Sequence, residues 1–236
     1  MKISDFKSKK VLIVFPHPDD DTFTIGGLLQ LFEQNNVEYN VLTLTKGGAG
    51  KSCIDLEGKN ISEVREGEYR KALNQMRLKL SHFHLLDFED GKLIETTTEI
   101  ENFLAMYMDN VKPDILITYD NSGMTGHPDH IIISKILFEL AKSKDVDLYF
   151  FAVNFLEKLY NMSSKTKDNF QKITDQIAVP FNFRVNQYKA LLDHKSQFGT
   201  LKYRIIFLMF LLFRSDSFHK VDFTREYKFR FEQFDI

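Results

Sequence analysis

"VLIVFPHPDDDTF", residues 11–23, sets a β-branched and aromatic run against a histidine held between two prolines, with three aspartates directly after. The run 11–15 reads as a short buried strand ending at Pro16. Working outward, "IGGLLQLFEQNN" (25–36) has helical apolar spacing and stops at Asn35-Asn36. "EYNVLTLT" (38–45) reads as a second strand, "SEVREGEYRKALNQM" from Ser62 as a helix, and "HFHLL" (82–86) as a third strand. A helix over "ETTTEIENFLAMYMDN", the strand "ILITY", a helix over "HPDHIIISKILFELAKS" with Pro128 in its first turn, and the strand "DLYFFAV" follow. This alternation predicts an α/β fold, a mostly parallel sheet with helices on both faces. Beyond it, "FRVNQYKALLDHKSQF" reads as a helix and "TREYKFRFEQF" as an edge strand. No repeat or interdomain linker interrupts residues 1–236, so one domain is expected.

The composition narrows the function classes. A net charge of −2 gives no footprint for wrapping nucleic acid. The single cysteine, Cys53, excludes an intramolecular disulfide framework and fits a reducing, cytoplasmic compartment. The N-terminus "MKISDFKSKK" lacks the apolar core of a signal peptide. The apolar run "IIFLMFLLF" (205–213) is far shorter than the roughly 20 residues that span a bilayer. With arginines flanking it, the segment 203–214 reads as a core helix or a homo-oligomer face, or as a weak contact with a membrane or lipid-linked substrate.

In open α/β sheets, ligands bind outside the carboxyl ends of the strands. His17, Asp19 and Asp20 follow the first strand, and "GHPDH" (126–130) follows "ILITY" after a short loop. Each cluster alone also reads as a turn leading into a helix, with carboxylates near the helix dipole. A turn needs no histidine, however, and both clusters fall on one predicted sheet edge. His17, Asp20 and His130 supply two imidazoles and a carboxylate, three ligands that leave room for water as at a catalytic zinc. Zinc would lower the pKa of that water toward about 7. Asp19 is then the expected general base, His127 the acid or oxyanion-stabilising cation, and Asp129 the carboxylate that orients His127.

These motifs resemble the zinc-dependent N-acetylglucosaminyl de-N-acetylase family, the PIG-L or LmbE-like group. "PHPDDD…GG" resembles its first motif, with Asp21 where Glu is usual, and "GHPDH" its later His-Pro-Asp-His. "LTLTKGGAG", "REGEYRKAL", "LLDFEDG" and "YKALLDHKSQ" resemble its further segments, so the likeness runs from about residue 10 to 198. It leaves residues 199–236 as a C-terminal elaboration without a match. The resemblance implies a Rossmann-like fold and the same assignments: His17, Asp20 and His130 on the metal, Asp19 as base, His127 braced by Asp129. It also implies that Arg65 and Asp90 contact the sugar. The implied reaction is hydrolysis of the N-acetyl group of a small-molecule amino sugar or its conjugate.

Rival readings address the same residues. "TKGGAGKS" (45–52) nearly spells a phosphate-binding loop of a nucleotide-binding enzyme, but has Thr45 where that motif needs glycine. Two histidines and a carboxylate also suit Fe2+ or another divalent metal. A non-catalytic sugar-binding module would keep the pocket without needing Asp19, His127 and Asp129. His82 and His84, alternating about Phe83, read as structural, and His219 as part of a charged tail without a chemical role. For His194 the structural and functional readings stand level.

Overall fold

The computed structural model describes residues 1–152, 171–212 and 215–229. Seven strands form one sheet in the order β3-β2-β1-β4-β5-β7-β6. Strands β1 (Lys10–Phe15), β2 (Glu38–Thr45), β3 (Phe83–Phe88), β4 (Ile115–Tyr119) and β5 (Asp147–Phe151) run parallel. Strand β7 (Ser215–Lys220) is antiparallel to β5, and β6 (Asp175–Ala178) is antiparallel to β7. The mostly parallel α/β fold read from the sequence is the one observed.

The unbroken apolar run of β1 is explained by burial on both faces. Val11, Ile13 and Phe15 join one core cluster with Leu28, Phe32, Tyr69 and Ala190, residues of α1 (Asp20–Asn35), α2 (Ile61–Gln75) and α6 (Phe181–Asp193). Leu12 and Val14 point the other way, toward Ile100, Leu104, Ile133 and Leu137 of α3 (Thr97–Val111) and α5 (Pro128–Lys144), the latter preceded by the single-turn α4 (Gly123–Gly126). The strand period of two thus feeds two cores from one segment.

Strand β1 lies between β2 and β4. The chain leaves β1 for β2 and β3 on one side and returns to β4 and β5 on the other. That reversal opens a crevice at the carboxyl ends of β1 and β4, the place where open α/β sheets hold ligands.

Three expectations need correcting. Helix α1 begins at Asp20 rather than at residue 25, and a break at Ile25 (φ −123°, ψ 17°) separates its first turns from the rest. Beyond the break, Gly26 and Gly27 let neighbours approach closely: a Cβ at Gly27 would sit 2.7 Å from Val179 Cγ1. The edge strand expected at 224–234 is absent over 224–229, and the rest of that stretch lies outside the described residues. Its aromatics serve another purpose: Tyr227 and Phe229, with Phe223 just before the stretch, each set a ring within 5.3–5.6 Å of Phe138 on α5. The strand in this region is β7, and it carries His219. That residue is buried, with Nδ1 2.8 Å from Lys172 O and Nε2 2.8 Å from Tyr227 Oη, so it does not belong to a solvated tail.

His82 and His84 have structural partners. His82 stacks on Tyr39 at 4.5 Å, and His84 Nε2 lies 3.3 Å from Asn40 Oδ1. The end of the predicted strand 147–153, Val153, lies outside the described residues, as do residues 213–214 of the apolar run.

Candidate metal and catalytic site

His17 sits in the turn after β1, and Asp20 opens α1. His130 stands in the first turn of α5, whose N-cap is His127 and whose first residue is Pro128. The two clusters meet across the crevice. His17 Nδ1 is 3.1 Å from His130 Nε2, Asp20 Oδ2 is 3.4 Å from His17 Nδ1, and Asp20 Oδ1 is 3.5 Å from His130 Nε2. All three side chains are buried.

The surrounding groups determine what each atom offers. His130 Nδ1 faces the Gly123 carbonyl at 3.1 Å, so it carries the proton and Nε2 presents a lone pair. His17 Nε2 faces Asp90 Oδ1 at 2.9 Å and Asp129 Oδ2 at 3.4 Å, so its proton points there and Nδ1 is turned to the site. Asp20 accepts from the His17 backbone N–H at 2.8 Å and from the Tyr119 hydroxyl at 2.8 Å. The Tyr119 ring also lies flat on His130, 4.1 Å between centroids and 4° between planes. Two imidazole nitrogens and a carboxylate therefore converge on a spot that calls for positive charge. Burial opposes a charged His17, yet Asp129, Asp20 and Asp90 together raise its pKa well above the usual histidine value. Burial drives His130 down to about 4, keeping it neutral and able to act as a ligand. This donor set fits a divalent cation of the zinc type. His127 also brings a ring nitrogen within 4.8 Å of ligand atoms on His17 and His130.

Asp19 is the N-cap of α1, and its side chain remains 13% exposed. Arg65 of α2, nearly fully buried, reaches it from beside: Nη2 lies 3.0 Å from Asp19 Oδ1, while Nη1 donates to Gly47 O at 3.0 Å. Asp90 accepts from Ala49 N–H at 2.8 Å through Oδ2 and faces His17 through Oδ1. Burial would raise the Asp90 pKa, but His17 and the Ala49 N–H hold it down at about 2. The sugar contacts implied for Arg65 and Asp90 thus meet residues already engaged inside the protein, one bracing Asp19 and the other His17.

The bracing of His127 differs from expectation. The Asp129 backbone N–H, rather than its carboxylate, bonds His127 Nδ1 at 3.2 Å. This is an N-cap bond to one of the free donors of the first helical turn. The Asp129 carboxylate is fully buried and accepts from Gly91 N–H at 2.8 Å and Leu93 N–H at 3.4 Å. With Nδ1 an acceptor, neutral His127 carries its proton on Nε2. Burial, with His17 next, lowers its pKa.

Some contributors escaped the sequence reading. Tyr119 ends β4 and is the polar tip of an apolar strand, a signal that was readable. Asp21 is buried and accepts from the Tyr69 hydroxyl at 2.6 Å, which links α1 to α2. Burial pushes its carboxyl up to about 7. Glu68 of α2 holds Ser196 through backbone N–H (2.8 Å) and hydroxyl (2.6 Å), and His194 is buried with Nε2 3.4 Å from Thr22 Oγ1. The glycine-rich loop 45–52 leads into no helix until Ile61. A phosphate-binding loop opens a helix directly, so the nucleotide reading has no support in the fold.

Residues 12–141 match the family described as PIG-L, the GlcNAc-PI de-N-acetylases. The chain belongs to this family. A relative in Bacillus anthracis named "Probable N-acetyl-alpha-D-glucosaminyl L-malate deacetylase 2" is 29% identical over 126 residues, 52% of this chain and 54% of the relative. The chain spans about half the length of the curated relatives it matches first. Among solved structures, the N,N'-diacetylchitobiose deacetylase of Pyrococcus horikoshii superposes with a TM-score of 0.64 at 21% identity, covering 92% of this chain and 85% of its own. The 4-carboxy-2-hydroxymuconate hydratase GalB of Pseudomonas putida does so with a TM-score of 0.63 at 13% identity, covering 91% and 96%. Neighbours named for a deacetylase and for a hydratase share this fold, so the fold alone does not decide the reaction.

Proposed function

We propose that the protein is a metal-dependent N-deacetylase that hydrolyses the acetamido group of an N-acetylglucosamine-type sugar or its conjugate, releasing acetate and a free amine. The observation that carries this reading is the convergence of His17 Nδ1, His130 Nε2 and Asp20 beside the partly exposed carboxylate of Asp19. The family membership and the names of the relatives support the substrate class.

His17, Asp20 and His130 would hold the ion, zinc first and Fe2+ or another divalent metal as alternatives. The ion would supply Lewis acidity toward water and the acetyl carbonyl. Asp19 takes a proton from the attacking water as its oxygen bonds the carbonyl carbon. Arg65 holds the Asp19 carboxylate in place. His127 donates through Nε2–H to the oxygen on which negative charge develops. The C–N bond then breaks, and the proton taken by Asp19 passes to the departing amine nitrogen. Asp129 acts by fixing His17 and the loop at Gly91. The remainder of the substrate would extend into the cleft beside Asp90, lined in part by Lys46, Ser62, Asp87 and Glu89.

Metal analysis of the purified protein, followed by chelation, zinc addition and assay of amine released from N-acetylated sugars, tests the proposal. About one zinc per chain and zinc-dependent release are expected. Absence of tight metal after re-addition, or release of amine that chelation leaves unchanged, would overturn it.

A further inference from the structure

Helix α8 (Leu201–Leu208), which follows the short α7 (Lys195–Phe198), carries apolar side chains on two opposite sides, and a 3-10 turn over Met209–Leu212 comes after it. Ile206 and Phe207 are buried against Leu191, with Phe23, Phe198 and Tyr203 packed around them. The other side is bare: Leu201 is 71% exposed, Ile205 58%, Leu208 47% and Leu212 68%. Steps of four, three and four residues line these four up along one side of the segment. Lys202 and Arg204, both exposed, flank the stripe on its two sides. From His194 to Arg214 the sequence has four cations (Lys195, Lys202, Arg204 and Arg214) and no Asp or Glu, in a chain whose net charge is −2. A segment that bares four aliphatic side chains together, with no acid in its own sequence, is unusual for a face turned to water. The same pattern is what an anionic lipid surface selects: aliphatic chains entering the headgroup region, with lysine and arginine at their edges.

The position adds to the argument. The helix begins four residues after Gln197, whose side-chain amide reaches Lys51 O at 3.5 Å, and Cys53 N–H bonds Ser196 O at 2.6 Å. The segment leading into the helix therefore packs against the glycine-rich loop that borders the candidate site. No helix among the described residues is long and apolar enough to cross a membrane. An in-plane contact is what the geometry allows.

We infer that the Leu201–Leu212 face docks on an anionic membrane surface, lying in the plane of the headgroups with its aliphatic stripe inserted. The inference is independent of the reaction proposed above, because binding is read without turnover. Sedimentation of the full chain with phosphatidylglycerol-containing vesicles is compared with phosphatidylcholine vesicles alone. Binding is expected on the anionic vesicles, weakened by salt. The double variant Ile205→Glu/Leu208→Glu should bind them at least about ten-fold more weakly, with an unchanged melting temperature because both side chains are exposed. Lys202→Gln/Arg204→Gln should weaken binding by a smaller factor, again only on anionic vesicles. Equal binding of the native chain to neutral vesicles, no binding to either, or undiminished binding of the double variant would overturn the inference. So would a native dimer that the double variant splits while vesicles bind neither form, since the stripe would then be a self-association face.

Discussion

His17 Nδ1 and His130 Nε2 lie 3.1 Å apart, and each ring already commits its other nitrogen as a donor, His17 to Asp90 and His130 to the Gly123 carbonyl. Two lone pairs cannot face each other at this distance beside the Asp20 carboxylate unless a positive charge lies between them. In metal-free protein that charge is a proton, consistent with the raised pKa of His17. A divalent cation held by His17, His130 and Asp20 would supply that charge instead. His130→Ala is therefore expected to reduce bound zinc to background in metal analysis. Native protein should gain thermal stability on zinc addition and the variant should not.

Asp19 approaches the site without belonging to the converging triad. Asp19→Asn keeps the shape and removes the basic oxygen. The expected result is a native metal content with turnover down by about 10²–10⁴-fold. Unchanged turnover would remove Asp19 from its role.

Gly47 has φ +70°, and a Cβ there would collide with the Arg65 guanidinium. Gly47→Ala should displace Arg65 from Asp19 and add about 1–2 kcal/mol of backbone strain. Steady-state kinetics should show kcat falling by at least about ten-fold, the order expected when a positioning contact is lost, while circular dichroism shows a folded chain with its metal retained.

Arg184 of α6 and Asp216 of β7 form a buried ion pair at 2.6 Å, and Asp216 also accepts from Leu28 N–H at 2.7 Å beyond the break in α1. Asp216→Ala removes the carboxylate from both partners. Chemical denaturation should register a loss of about 3–5 kcal/mol, the cost of breaking a buried pair.

His194 supplies a pH dependence. Burial lowers its pKa from 6.5 to about 4 in the folded chain. Between those values the unfolded chain binds the extra proton, so the contribution is fully present above pH 6.5 and is lost as pH falls toward 4. The full effect is on the order of 3 kcal/mol. Denaturation midpoints measured from pH 7 to 4 should fall less steeply for His194→Gln than for the native chain.

The parallel half of the fold was legible because its signals are local. A strand buried on both faces must be apolar throughout, as Val11–Phe15 is, and helices between such strands announce themselves by apolar spacing and by caps such as Pro128. The C-terminal strands were hidden: β7 carries Asp216, Ser217 and His219 at buried positions, and their polar atoms are satisfied by partners on α1, β6 and the chain near Lys172 and Tyr227. Burial of such residues cannot be read from spacing, because it depends on partners remote in sequence. Conversely, the alternation over 224–234 imitated a strand, while its Tyr227 and Phe229 serve as anchors on Phe138.

The site divides in the same way. By itself, the sequence determined which residues end β1 and begin α5, and hence that two histidine–aspartate clusters share one sheet edge. That follows from the alternation of strand and helix, which delivers every parallel strand to the same edge. Only the tertiary structure decided which proton each histidine holds, that Arg65 and Asp90 are turned inward to brace Asp19 and His17, and that Asp129 anchors Gly91 in place of His127. Those outcomes depend on distances of about 3 Å between groups up to 113 residues apart, which no local pattern encodes.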